Sequence, residues 1–167
     1  MSTDANQPGL QRASTGIPEL DQMLGGGLVP GTLTVVMGAT GIGKTQLGLQ
    51  FAEAGRRQEG ERGILFDMTS RGDAQNHVDY AQRMFGWNLK QRRVDEPYAP
   101  GDIWNYERMR SDYFHIFERT GRRVSIQDLD HDQWQEWKIE LNRKLDQAIA
   151  LYYGNFVHGV RRCVIDG

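Results

Sequence analysis

One cysteine, Cys163, is all that the 167 residues contain, so no internal disulfide can form and packing must hold the fold. No apolar run approaches the roughly 18 residues that a membrane span needs. The opening stretch "MSTDANQPGLQRAS" lacks the apolar centre of a secretory signal. The charge nearly cancels, at −2, which gives no general pull toward nucleic acid or an anionic membrane. These absences make a soluble protein of the reducing cytoplasm the expectation. The length suits one domain with a sizeable core. Proline is sparse, at five, but the 20 glycines are more than ordinary usage, and turns or a phosphate-binding loop would account for them.

Residues 1–13 are polar, contain Pro8 and Gly9, and read as a loose tail. In "STGIPELDQMLGGGL", Ser14 or Thr15 can cap a short helix, Pro18 suits its first turn, and Gly25, Gly26 and Gly27 end it in a hinge. "TLTVVM", Thr32 to Met37, is a β-branched apolar run between glycines, which predicts a strand buried on both faces. Leu47, Phe51 and Ala54 then predict a helix up to Gly55, and "GILFDM" a second buried strand from Gly63 to Met68. A helix is expected over 73–85, ended by Gly86, and another over 102–119 from Ile103, Tyr106, Tyr113, Phe114 and Phe117. A longer helix is expected over 130–153, with Trp134, Trp137, Leu141, Leu145, Ala148 and Tyr152 facing inward. "RRCVID" is a last apolar strand that ends in an acid. Strands alternating with helices predict a parallel α/β sheet flanked by helices.

The chemistry concentrates in Gly38-Ala39-Thr40-Gly41-Ile42-Gly43-Lys44-Thr45, which fits G-x-x-x-x-G-K-[ST] at every fixed position and lies between a predicted strand and a predicted helix. Glycines let successive backbone N–H groups curl around a β-phosphate, and the following helix aims its positive end at the same anion. Lys44 would reach the β- and γ-phosphates, and Thr45 would offer its hydroxyl to Mg²⁺. Gly38, Thr40, Gly41, Ile42, Gly43, Lys44, Thr45 and Gln46 are therefore the candidate nucleotide-binding residues. Asp166 ends a downstream strand, where it could hold the water shell of the same Mg²⁺.

"STGIPELDQMLGGGLVPGTLTVVMGATGIGKTQLGLQFA" resembles the start of a RecA-superfamily phosphate-loop ATPase of the KaiC-like group. The matching residues are Thr15-Gly16-Ile17, Leu20-Asp21, Leu24 to Gly27, Gly31 and the loop itself. "FGWNL", Phe85 to Leu89, and "RRCVIDG" resemble later segments of that group, the second being its Walker B strand. Residues 14–167 then form one RecA-like ATP-binding domain, with an unmatched helical insertion at about 97–158. The resembled fold carries further strands after Walker B, one of them between the loop strand and the Walker B strand. The expectation is thus a core truncated after Asp166, which behaves poorly alone or pairs with itself or another chain.

Members of the resembled group that hydrolyse ATP end the second strand with a glutamate that polarises the attacking water. Here that position falls on Thr69 or Ser70, and the other common place for the acid, after the Walker B aspartate, holds Gly167. Asp67 and Asp73 are the nearby substitutes; their structural readings are a sheet-end hydrogen-bonding group and a helix cap. The function expected is MgATP binding for regulation or assembly with weak or absent hydrolysis. The alternatives are an active ATPase of the same group and a recombinase-like DNA-binding ATPase. Four Arg-Arg pairs read as solvated ends of elements, not as a nucleic-acid face, and His77, His115, His131 and His158 show no ligand spacing.

Overall fold

The computed structural model describes residues 11–69, 76–92, 98–117, 127 and 129–167. The tail up to residue 10 and the acid at Asp73 lie outside the described residues, as do Ser70, Arg93 and the Arg122-Arg123 pair.

The elements in order are α1 (Pro18–Met23), α2 (Lys44–Gln58), β1 (Ile64–Asp67), α3 (His77–Phe85), a 3-10 turn (Pro100–Trp104), α4 (Tyr106–Met109), β2 (Tyr113–His115), α5 (His131–Val157) and β3 (Cys163–Asp166). The three strands form one parallel sheet in the order β2-β1-β3. This is the small parallel sheet with flanking helices expected of a partial RecA-like core. β1 is buried on both faces because helices cover both sides. Leu65 joins Leu49 and Ala52 of α2, Ala81 of α3, Trp87 and Leu89 on one face. Ile64 and Phe66 join Phe114, Ala148 and Leu151 of α5 and Val160 on the other.

Local signals explain several boundaries. Pro18 stands in the first turn of α1, although Ile17, not Ser14 or Thr15, holds the cap position. Ser14 and Thr15 instead donate their hydroxyls to Asp21, at 2.5 and 2.7 Å. The glycine hinge is pinned: Ala13 and Leu28 exchange backbone hydrogen bonds of 2.9 and 2.8 Å. Gly27 lies so close to the Ala13 carbonyl, at φ +120°, that a Cβ would collide with it. Gly86 ends α3 in the left-handed region, and a capping box of Asp130 and Gln133 starts α5.

Four expectations need correction. Thr32 to Met37 is not a strand, and Leu33 and Met37 are 85% and 86% exposed. A strand needs a neighbour for its N–H and C=O groups, and none of the described strands pairs with this run. The helix over 102–119 is instead the 3-10 turn, the single turn α4 and the strand β2, because the aromatic run Tyr113-Phe114 pairs with Leu65 and Phe66. This edge pairing is a long-range contact that helical spacing does not register. α5 is rotated from its predicted inward face: Trp137, Ala148 and Leu151 are buried while Leu145 and Tyr152 are exposed. Lys144, buried beside the Trp137 ring and 3.7 Å from Glu140, takes an inward position that a hydropathy pattern gives to leucine. Lastly, Arg162 is no solvated strand end. It is buried, donating to the carbonyls of Ser14 (2.5 Å) and Phe51 (2.8 Å) and pairing with Glu59, so it ties β3 to α2 and the N-terminal segment.

Candidate nucleotide and metal site

The register brings three polar side chains to the carboxyl ends of adjacent strands: Asp67 of β1 is level with His115 of β2 and Asp166 of β3. The crevice beyond strand ends is the ordinary ligand position of a parallel α/β sheet. The first turn of α2, into which the loop from Gly38 to Gly43 leads, meets Asp166 at this end through Thr45.

Gly41 and Gly43 have φ of +86° and +97°, a conformation that lets the loop curl directly into α2, whose cap is Gly43. Gly38 leaves room for the Ile42 side chain, whose end occupies the space that a Cβ there would need. Thr40, Gly41 and Ile42 are exposed at the loop tip, and Gln46 is part-buried in the first turn of α2. Lys44 Nζ donates to the carbonyls of Gly38 (3.0 Å) and Ala39 (2.8 Å), so its ammonium crosses the mouth of the loop. The buried Thr45 donates its hydroxyl to Asp166 Oδ2 at 2.6 Å. The two residues expected at a Mg²⁺ thus meet across 121 positions of sequence.

A triphosphate with its metal fits these groups. The loop offers backbone donors and a helix start, Lys44 brings a cation to the mouth of the loop, and Thr45 and Asp166 supply the hard oxygens that Mg²⁺ selects.

Asp67, the nearer of the two substitute acids, is buried with both oxygens engaged. Oδ1 accepts from the Thr69 amide (2.8 Å) and hydroxyl (2.6 Å), while Oδ2 accepts from the Tyr113 hydroxyl (2.5 Å). Burial alone would raise its pKa. The contacts from His77, Thr69 and Tyr113 outweigh that and hold the carboxyl far below the usual carboxylate range. β1 ends at Asp67, and Thr69 folds back onto it. His115 faces the Thr69 carbonyl at 3.2 Å.

His77 is the residue at this site that the sequence did not single out. It begins α3 and is buried, with Nε2 3.0 Å from Asp166 Oδ2 and Nδ1 3.2 Å from Asp67 Oδ2. Burial disfavours the charged ring, but the two aspartates outweigh it and raise the His77 pKa to about 9. In return, His77 and then Thr45 lower the pKa of Asp166. The only sequence signal would have been a histidine at the start of a helix that follows a strand ending in aspartate.

The family model described as "ATPase: KaiC" matches residues 13–109, more than half of the chain. The circadian clock oscillator protein KaiC of Rippkaea orientalis is 38% identical over 78 residues, which cover 47% of this chain and 14% of that protein. Circadian clock protein KaiC2 of Synechocystis sp. is 32% identical over 98 residues, covering 58% of this chain and 16% of that protein. The DNA repair protein RadA of Mycobacterium tuberculosis is 51% identical over 47 residues, 26% of this chain and 10% of that protein. In each case the chain spans a small part of the relative's length. No solved structure matches.

Proposed function

Since this chain belongs to the KaiC family of ATPases, we propose that residues 14–167 form one ATP-binding domain that uses MgATP to fix a conformation or an assembly and hydrolyses it slowly or not at all. The observation that carries the binding half is the contact between Thr45 and Asp166 beside Lys44. In this reading the loop amides and Lys44 hold the β- and γ-phosphates. Thr45 gives its hydroxyl oxygen to Mg²⁺, and Asp166 receives the waters of that ion. The bound metal supplies neutralisation of phosphate charge. The protein contributes orientation.

The weak-hydrolysis half is supported by what stands at the acid positions. A water attacking the γ-phosphate must be oriented and relieved of a proton. Thr69 spends its hydroxyl on Asp67, and Asp67 spends both oxygens on Thr69, Tyr113 and His77. We assign Asp67 to anchoring the strand ends. The cap of α3 is Asn76, which accepts from the Asp79 N–H, so the helix-cap reading of Asp73 falls, and Asp73 itself lies outside the described residues.

The assembly half is supported by uncovered apolar surface: Leu33, Val35, Val36 and Met37 are exposed, as is Ile165 on β3, which pairs with β1 alone among the described strands. Association with a further strand, from this protein or a partner, would cover them. The region from 97 to 158 is then an addition to the core that supplies β2 and α5. No helix among the described residues is long and apolar enough to cross a membrane, which agrees with a cytoplasmic setting.

Phosphate release from MgATP over many turnovers tests this. Release at or below the background of a Lys44→Ala control is expected. A rate near about 10 s⁻¹, the middle of the enzyme range, lost in Lys44→Ala, would establish the active-ATPase reading instead.

A further inference from the structure

The nucleotide reading leaves His77 without a role, yet its side chain is among the most enclosed polar groups of the molecule, at 1% exposure. A polar ring is expensive to bury, and an apolar side chain of similar size would fill the space at lower cost if packing were all that the site required. The ring also packs at 5.4 Å against Tyr113, the residue that donates to Asp67. Among the described residues, the polar neighbours of His77 belong to one connected set running from Thr69 and Tyr113 through Asp67, His77 and Asp166 to Thr45.

Within that set, His77 and Thr45 meet the same oxygen of Asp166. Thr45 donates to Oδ2 from α2 at 2.6 Å, and His77 Nε2 stands 3.0 Å from Oδ2 at the start of α3. No described residue hydrogen-bonds Asp166 Oδ1. Two contacts from two helices therefore fix the carboxylate by one oxygen. On the other side of the ring Nδ1 makes no hydrogen bond but stands 3.2 Å from the Asp67 carboxylate, which is itself held by the backbone of Thr69, so charge attraction and burial oppose rotation of the ring. Groups that orient a metal-site carboxylate from behind commonly alter metal affinity by about 10–100-fold when removed.

We propose that His77 is the positioning residue of the metal pole: through Nε2 it sets the Asp166 carboxylate to receive the Mg²⁺ water shell, with Asp67 as its backstop. This rests on the MgATP reading above. It adds α3 to the elements that sense the metal, since His77 joins the start of that helix to Asp166.

The test is the factor by which Mg²⁺ tightens ATP binding, measured with a fluorescent ATP analogue in Mg²⁺ and in EDTA for the wild type, His77→Gln, His77→Asn and His77→Ala. Glutamine can place an amide N–H near the Nε2 position, whereas asparagine reaches only the Nδ1 side. The expected result is that Asn and Ala lose about 10–100-fold of the Mg²⁺ enhancement, Gln keeps most of it, and affinity in EDTA stays the same in all four. Equal enhancement in all four, or equal loss in all three variants, overturns the proposal, since a ring that only fills space would not distinguish Gln from Asn. A wild type that binds no nucleotide in either buffer overturns the MgATP reading and the inference with it. Should a variant fail to fold, the wild type alone decides by NMR. The His77 Nε2–H resonance should shift with MgATP and stay in place with ATP in EDTA, and an identical response to both overturns the proposal.

Discussion

Replacing Asp67 with asparagine should cost stability, not chemistry, and the size of the loss can be worked from its contacts. Asn keeps the volume and removes one acceptor oxygen and the charge. If its oxygen stays toward Thr69, the new amide N–H₂ faces the Tyr113 hydroxyl and the His77 ring; if it turns over, the amide faces the Thr69 N–H and hydroxyl. The Tyr113 hydroxyl loses its acceptor in the first case, the Thr69 N–H and hydroxyl lose theirs in the second, and in both His77 loses half of its counter-charge. Hydrogen bonds to charged acceptors contribute roughly 1.5–3 kcal/mol each, and breaking a buried ion pair costs roughly 3–5 kcal/mol. These overlap in one network and do not add, so a loss of about 3–5 kcal/mol is expected.

Against a domain stability of about 5–15 kcal/mol that is a large fraction. Urea unfolding followed by circular dichroism, in EDTA without nucleotide, should show the midpoint falling by about 1 M or more at a slope of about 1–3 kcal/mol/M. Tyr113→Phe removes one donor and should lose less. An unchanged midpoint in Asp67→Asn would refute the reasoning, all the more if the wild type released phosphate and the variant did not. The two results together would make Asp67 a reacting group instead of an anchor.

Three further outcomes follow from the packing and the charges. Leu151→Ala on the buried side of α5 should destabilise by about 2–5 kcal/mol, while Leu145→Ala on its exposed side should stay within about 0.5 kcal/mol; comparable losses in chemical denaturation would return α5 to the face that spacing alone predicts. Gly27→Ala should cost about 1–3 kcal/mol because it adds a collision with Ala13 to a left-handed φ, and hydrogen exchange at Ala13 and Leu28 should rise; unchanged exchange would count against the pinned hinge. Asp21 is held below the ordinary carboxylate value of 3.8: its slight burial acts upward, and the hydrogen bonds from Ser14 and Thr15 outweigh it. A depressed pKa stabilises above pH 3.8 and is lost as pH falls through the lower folded value, so Asp21→Asn should flatten the acid loss of protection at residues 13–28, and an unchanged acid profile would contradict this.

What could be read from the sequence depended on the reach of each signal. The loop from Gly38 to Thr45, the α2 start and the α3 stop at Gly86 are local devices, written within a few residues and found where they were expected; the Asp130–Gln133 capping box is equally local, but only a helix start near residue 130 was expected there. Two elements failed for want of information about neighbours. The run from Thr32 to Met37 has the composition of a buried strand, but composition does not supply a pairing partner. β2 was misread as helix because the edge that captures Tyr113 and Phe114 lies about 50 residues earlier, at Leu65 and Phe66. At the site, Thr45 and Asp166 were legible through motif and strand-end position. His77 was not, since its meaning depends on two aspartates that only the folded sheet sets on either side of it.

The loop of residues 38–46, completed by Asp166, should grip a nucleoside triphosphate. Isothermal titration calorimetry of ATP with Mg²⁺ into the wild type and Lys44→Ala tests it most directly. Saturable one-site binding is expected in the wild type, weakened at least about tenfold, or roughly 1.4 kcal/mol, in Lys44→Ala. No heat of binding in the wild type, or equal affinity in the two proteins, would contradict it.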